Sequence, residues 1–259
     1  MSPSAVRAET IEALRRQLVS TQRDQSAQKC IPTGLESLDQ LLPGGGLPTS
    51  AMVEWISDEV GHSAASIALR CVAPMLTLAG CLAVIDERHE FHANAAQAQG
   101  IPLSRLLLVR PQREADSDSN HRTGRSQFVR RTSAAHNETL WALEQAARCP
   151  GVRIVLCWLD RSSSAVMRRL QLAVERSGVT VVLIRPATVL QQPSFADLRL
   201  HVQTLSQAST ANVQSPKPSG QFSVRLLRSR HGLQHEGFAV VQQKPWEEHV
   251  CSQQSAGTR

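Results

Sequence analysis

Ile56-Ser57-Asp58-Glu59-Val60-Gly61-His62-Ser63 occupies a turn between two segments of different character. Before it runs Ala51-Met52-Val53-Glu54-Trp55-Ile56, apolar enough for a buried strand, and after it Ser63 to Leu76 has the spacing of a helix. Strand, turn and helix in that order are the setting of a phosphate-binding loop, whose pattern is GxxxxGK[ST]. Its glycines let backbone N–H groups reach phosphate oxygens, its lysine reaches the terminal phosphates, and its hydroxyl holds magnesium. Gly61 and Ser63 are in register with that pattern, but Ile56 stands at the first glycine and His62 at the lysine. Gly61, His62 and Ser63 are the candidate nucleotide contacts. Without the lysine, the expectation is that no cofactor is held, with ATP binding as the lesser alternative.

Outward from this turn the chain alternates. Met52–Ile56, Cys81–Asp86, Arg105–Val109, Val152–Leu159 and Val179–Ile184 are short apolar runs of the kind that parallel strands covered on both faces produce. Helical patterns separate them over Ala64–Leu76, Ala93–Gln99, Glu138–Arg148 and Ser162–Ser177, the last with serines 162–164 available as caps. The expectation is an α/β doubly wound, mostly parallel sheet flanked by helices. Beyond Pro186, alternation at Leu198, Leu200 and Val202, then at Phe222, Val224 and Leu226, and a run from Gly237 to Val241 predict two or three terminal antiparallel strands.

The core is expected over residues 30–243, with a polar inserted loop at 112–136, a flexible linker at 206–220 and a disordered tail at 244–259. Residues 1–29 read as an amphipathic helix over 5–22 and a linker, with Ile11, Leu14 and Leu18 on one stripe that offers a partner-binding face. The exposed-looking Arg168 and Arg169 offer another. No apolar run approaches the ~20 residues that span a bilayer, and the N-terminus has no signal-peptide core, so the expected compartment is the cytoplasm. Six cysteines lack any CxxC pair, and Cys71, Cys81, Cys149 and Cys157 sit in apolar runs, which predicts buried reduced thiols. The net charge is +6, carried by arginine with lysine only at 29, 217 and 244, a balance that permits nucleic-acid contact without requiring it. Arg113, Arg122, Arg125, Arg130 and Arg131 could track phosphates, but interspersed Glu114, Asp116 and Asp118 favour a solvated loop. Aromatic content of 3% with no tyrosine argues against base stacking. His89-Glu90-Phe91-His92 misses the HExxH metal spacing by one residue, so no metal site is expected.

Ile31-Pro32-Thr33-Gly34, Leu38-Asp39, Gly44-Gly45-Gly46-Leu47-Pro48 and Val53-Glu54 together resemble the entry to the core of RecA-type recombinases, and Val84-Ile85-Asp86-Glu87-Arg88-His89 resembles that family's second strand. The resemblance implies a RecA-like sheet over roughly residues 30–205. It also locates departures. The family's water-orienting glutamate falls at Arg88, with Glu87 one place away, and its magnesium aspartate falls near Trp158, with Asp160 two places late on the same strand face. The family's two DNA-binding loops would lie between Asp160 and Ser163 and between Pro186 and Ala196, where little chain is available. Phosphoryl transfer is nearly all positioning and electrostatic stabilisation, so the expectation is a pseudo-ATPase.

Leu156-Cys157-Trp158-Leu159-Asp160, Met167-Arg168-Arg169-Leu170-Gln171-Leu172-Ala173 and Val182-Leu183-Ile184-Arg185-Pro186 are similar to the ImuA family, RecA-like and SulA-like accessory proteins of bacterial error-prone translesion synthesis. The resemblance implies a non-catalytic adaptor in the SOS response and DNA repair. Its implied partners are an ImuB-like polymerase-related protein and an error-prone replicative-type DNA polymerase. The alternatives are a SulA-like inhibitor of cell division and an ATP-binding protein of the recombinase type.

Overall fold

The computed structural model describes residues 29–58, 63–111, 125–205, 221–230 and 237–242, with backbone alone for 63 and 125–135. An eight-stranded sheet forms the centre. In chain order its strands are β3 (Met52–Ser57), β4 (Cys81–Ile85), β5 (Leu106–Val109), β6 (Val152–Trp158), β7 (Thr180–Pro186), β8 (Leu198–Leu205), β9 (Gln221–Ser229) and β10 (Phe238–Gln242). A two-stranded antiparallel piece, β1 (Cys30–Ile31) with β2 (Leu47–Pro48), precedes them. The spatial order is β10-β9-β8-β3-β7-β6-β4-β5, and every neighbouring pair from β8 to β5 is parallel. Strands β9 and β10 are antiparallel, as the terminal alternation predicts, but β8 joins β3 in parallel and belongs to the main sheet.

Apolar side chains on both faces explain why the strand sequences show little alternation. On the first face, Val53, Trp55, Leu82, Val84, Leu156, Val182 and Leu200 pack under α2 (Ser63–Val72) and α3 (Ala93–Ala98). On the second, Met52, Ala83, Ile85, Val155, Cys157, Val181 and Leu183 pack under α4 (Arg125–Arg148) and α5 (Ser164–Ser177). Helix α1 (Glu36–Leu41) lies against β10, where the Ser37 hydroxyl donates to the Val240 carbonyl at 2.9 Å.

Local chemistry sets the helix ends. The helix expected to reach Leu76 stops at Val72 and tightens into a 3₁₀ turn over Ala73–Thr77, because Pro74 has no N–H and clashes with the preceding turn. Ser163 caps α5, its hydroxyl accepting from the Val166 N–H at 3.3 Å, and Gly178 closes it at φ +77°, a left-handed conformation that costs glycine little. Helix α4 begins at Arg125, inside the stretch read as a polar loop. No glycine or proline interrupts residues 125–148, so an unbroken helix outlasts its own apolar periodicity. The N-terminal stripe of Ile11, Leu14 and Leu18, the linker 206–220 and the tail lie outside the described residues.

The glycine-rich entry segment has a packing reason. A Cβ on Gly46 would fall 2.3 Å from the Ile31 carbonyl oxygen, so only glycine lets β2 approach β1. Asp39 holds the loop before α1, its Oδ1 accepting from the Thr33 N–H and hydroxyl at 2.8 Å each. The Thr-Gly…Leu-Asp signature is therefore architectural here.

Candidate functional site

The candidate site lies at the carboxyl ends of the parallel strands, where open α/β sheets bind ligands. Strand β3 does not release the chain at the first-glycine position. Ile56 is fully buried and in register with Arg185 of β7 and His201 of β8, and Ser57 with Pro186 and Val202. Only residues 58–62 separate the strand from α2. Gly61 and His62 lie outside the described residues, and Ser63 opens α2.

Asp58, the residue that follows the strand, is fastened sideways to β8. Gln203 Nε2 donates to its Oδ2 and His201 Nε2 lies 2.8 Å from its Oδ1, each contact 2.8 Å long. The hydrogen bonds from Gln203 and then His201 hold its carboxyl below the usual aspartate range. An ionised carboxylate thus stands at the start of the turn, where a triphosphate site wants donors and positive charge.

At the end of β4 the acidic residues are already engaged. Asp86 is buried and organises the next turn, accepting from the Glu90 N–H at 2.8 Å, the Phe91 N–H at 3.3 Å and Arg110 Nε at 3.2 Å. Glu87 accepts from the Thr139 hydroxyl at 3.0 Å, which turns it toward α4 and away from the α2 face. Arg88 pairs with Asp160, and its other nitrogen lies 3.7 Å from Glu90. Because β6 ends at Trp158, Asp160 lies beyond the strand, and strand alternation does not aim it. Trp158 itself meets Phe91 edge-on at a ring-centroid distance of 6.5 Å. Where the family resemblance looks for a glutamate and an aspartate, the chain presents a guanidinium and an indole. An open depression of about 480 Å³ beside this turn is lined by Phe91-His92-Ala93-Asn94-Ala95, with no convergent charges among them. Among the described residues no group of three or more His, Cys, Asp or Glu could hold a metal ion.

One charged cluster escaped the sequence reading. Glu54, fully buried on β3, accepts from Arg185 Nη1 and Arg199 Nε at 2.8 Å each, tying β7, β3 and β8 together on the second face. Arg185 Nε also donates to the Leu159 carbonyl at 3.1 Å, and Arg199 to the carbonyls of Val189, Leu190 and Gln192. The signal was present as one charge in each of three apolar strands, but only the strand order brings the three together.

The two cationic candidates of α5 are exposed, as expected. Arg169 pairs with Glu144 of α4 at 2.6 Å, and Arg168 donates to Gln171 at 2.7 Å. Two cysteine expectations need correction: Cys149 is exposed and Cys81 half-buried, because Cys149 follows the end of α4 and Cys81 opens its strand. Cys71 and Cys157 are buried, and burial pushes both thiols far above their ordinary value. The joints around the site are short: residues 159–162 connect β6 to the α5 cap, and residues 187–197 connect β7 to β8. No described helix is long and apolar enough to cross a membrane.

No protein-family model matches the chain. It is similar to the protein ImuA of Caulobacter vibrioides, 30% identical over 158 residues, which are 59% of this chain and 56% of that protein. It is also similar to the RecA proteins of Saccharopolyspora erythraea, 40% identical over 81 residues, and Rhodopirellula baltica, 34% identical over 82 residues. Those matches take in 31% and 32% of this chain and 23% and 22% of the two RecA proteins. The chain thus spans about half the length of its ImuA relative and less than a quarter of the RecA proteins. It is related to the RecA-like proteins, and its match to ImuA is the longer one.

Proposed function

We propose that this chain is an adaptor without phosphoryl-transfer activity, serving SOS-linked error-prone translesion DNA synthesis and DNA repair in the cytoplasm. It acts through contacts with an ImuB-like polymerase-related protein and an error-prone replicative-type DNA polymerase. The observation that carries the non-catalytic half is the Arg88–Asp160 pair. A cation stands where a catalytic carboxylate would orient water, and it pairs with Asp160, the carboxylate two places beyond the expected magnesium aspartate. The unbroken strand through Ser57 and the ionised Asp58 support the same reading from the phosphate side. The degenerate turn, with His62 for lysine, is then a joint between β3 and α2 and holds no nucleotide.

Similarity to ImuA over more than half of the chain supports the pathway. The short joints at 159–162 and 187–197 leave little room for the two loops with which a recombinase engages DNA, which supports partner contact over filament formation. Partner surfaces are the exposed Arg168–Arg169 face of α5 and the stripe of Ile11, Leu14 and Leu18.

Two measurements test the proposal. Equilibrium titration with ATP and magnesium should show no saturable binding, and incubation should show no phosphate release above buffer. Co-purification with the two polymerase partners should recover a complex. Magnesium-dependent cleavage lost on replacing Asp86 or Asp160 would remove the first half, and absence of any complex would remove the second.

A further inference from the structure

Helices α4 and α5 form the outer layer over the second face, and each presents a stripe to solvent. Successive helical residues turn by about 100°, so Trp141, two places from both Thr139 and Leu143, points away from the sheet that buries those two completely. Trp141 is 66% exposed, more than any other large apolar side chain among the described residues. On α5 the stripe opposite buried Val166, Leu170 and Val174 is Ala165, Arg168, Arg169, Leu172 and Arg176, at i, i+3, i+4, i+7 and i+11. All of these are exposed except Leu172, which is half-buried among the arginines. Both helices join strands of one parallel sheet and run in the same direction, and the Arg169–Glu144 pair fixes their relative height. Trp141 stands three residues before Glu144 and Ala165 four before Arg169, which puts the two at about the same level on neighbouring crests roughly 10 Å apart.

The charges surround this apolar strip unevenly. Between the helices, Glu144 accepts from Arg169 Nε at 2.7 Å and lies 3.6 Å from Arg148 Nη2, so the two cations nearest Trp141 are already balanced. Arg161, Arg168 and Arg176 have no carboxylate partner among the described residues, and Arg168 donates to the neutral amide of Gln171. The exposed Glu138 lies on the flank of α4 turned away from α5. An apolar centre inside a charged rim is the anatomy of a protein interface, and tryptophan and arginine are the side chains that carry most of its energy. A nucleic acid fits less well, because its phosphates would meet Glu144 at the centre and one indole makes no stacking platform. We infer that the outer face of α4 and α5 seats an acidic, apolar-cored segment of a protein partner. Trp141 and Leu172 pack on its apolar residues, and Arg161, Arg168 and Arg176 pair with its carboxylates. The inference rests on the adaptor reading and adds to it the chemistry of what α5 binds.

The test uses the full chain with the two polymerase partners, and a single-stranded oligonucleotide as competitor. Trp141→Ala, and separately Arg168→Glu with Arg176→Glu, should each weaken the complex by at least about tenfold. Trp141→Phe, which keeps an aromatic ring, should weaken it less than Trp141→Ala. Binding by the unaltered chain should fall as salt rises, and that dependence should flatten in the double arginine variant. The replaced side chains are exposed, so urea midpoints should hold, which separates loss of contact from loss of fold. Excess oligonucleotide should not displace the partners. No complex with the unaltered chain would remove the adaptor reading and this inference with it. A complex of undiminished affinity in both the Trp141→Ala and the double arginine variants would remove this inference alone. Displacement by the oligonucleotide would make the face a nucleic-acid site and overturn it as well.

Discussion

Arg88 and Asp160 join the ends of the neighbouring strands β4 and β6 by an ion pair at the rim of the sheet. Both side chains are nearly half exposed, so solvent screens the attraction and the long arginine side chain must be ordered to make it. Asp160→Asn should therefore change folding stability by less than about 1 kcal/mol in urea titration. On the proposed reading, neither it nor Glu87→Gln should alter the rate of ATP loss, which is expected to equal the buffer background.

The buried cluster on β3 should behave in the opposite way. Replacing Glu54 with Leu strands two guanidiniums, those of Arg185 and Arg199, in an apolar layer. Breaking a buried pair by removing one partner costs about 3–5 kcal/mol, read as a large fall in the urea midpoint. Replacing all three together, Glu54→Leu with Arg185→Met and Arg199→Met, should cost less than Glu54→Leu alone. A triple variant less stable than the single would show that the carbonyl contacts of the arginines, and not the charge balance, dominate.

Asp58 gives a pH signature. Its carboxyl is held low by Gln203 and His201, so the folded protein favours the ionised form more than the unfolded chain does. That stabilisation is complete above the ordinary aspartate value near ~3.9 and is lost as pH falls through the folded value below it. The stability gap between the unaltered chain and Asp58→Asn should therefore be present at neutral pH and shrink on acidification below about pH 4. A gap constant across that window would mean the contacts do not depend on the charge.

Thiol labelling should separate the described cysteines into classes. Cys149 is exposed and should react with a disulfide reagent in the native protein. Cys71 and Cys157 are buried and their thiolates disfavoured, so they should react only as the protein unfolds. Early labelling of Cys157 would indicate that β6 opens locally.

The alternation of apolar runs with helical patterns carries most of the architecture, because parallel strands buried on both faces have little freedom in composition. Strand order is not local information. The partnership of Glu54 with Arg185 and Arg199 depends on β3 lying between β7 and β8, and no spacing along the chain announces that. The parallel direction of β8 was hidden for the same reason, since its alternation suits either direction. At the site, the sequence shows which residues stand at the expected positions but not how they are used. Asp86, part of the run that resembles the family's second strand, serves as the cap of a turn, and Asp160 looks displaced by two places and is held by Arg88. The reach of α4 back to Arg125 was obscured by polar residues, which a surface helix accepts as readily as a loop does.

Strand β3 keeps its place in the sheet through Ser57. Installing lysine at His62 would leave Ile56 and Ser57 laced between β7 and β8, so on the proposed reading a restored phosphate cation alone would not free the backbone that precedes it.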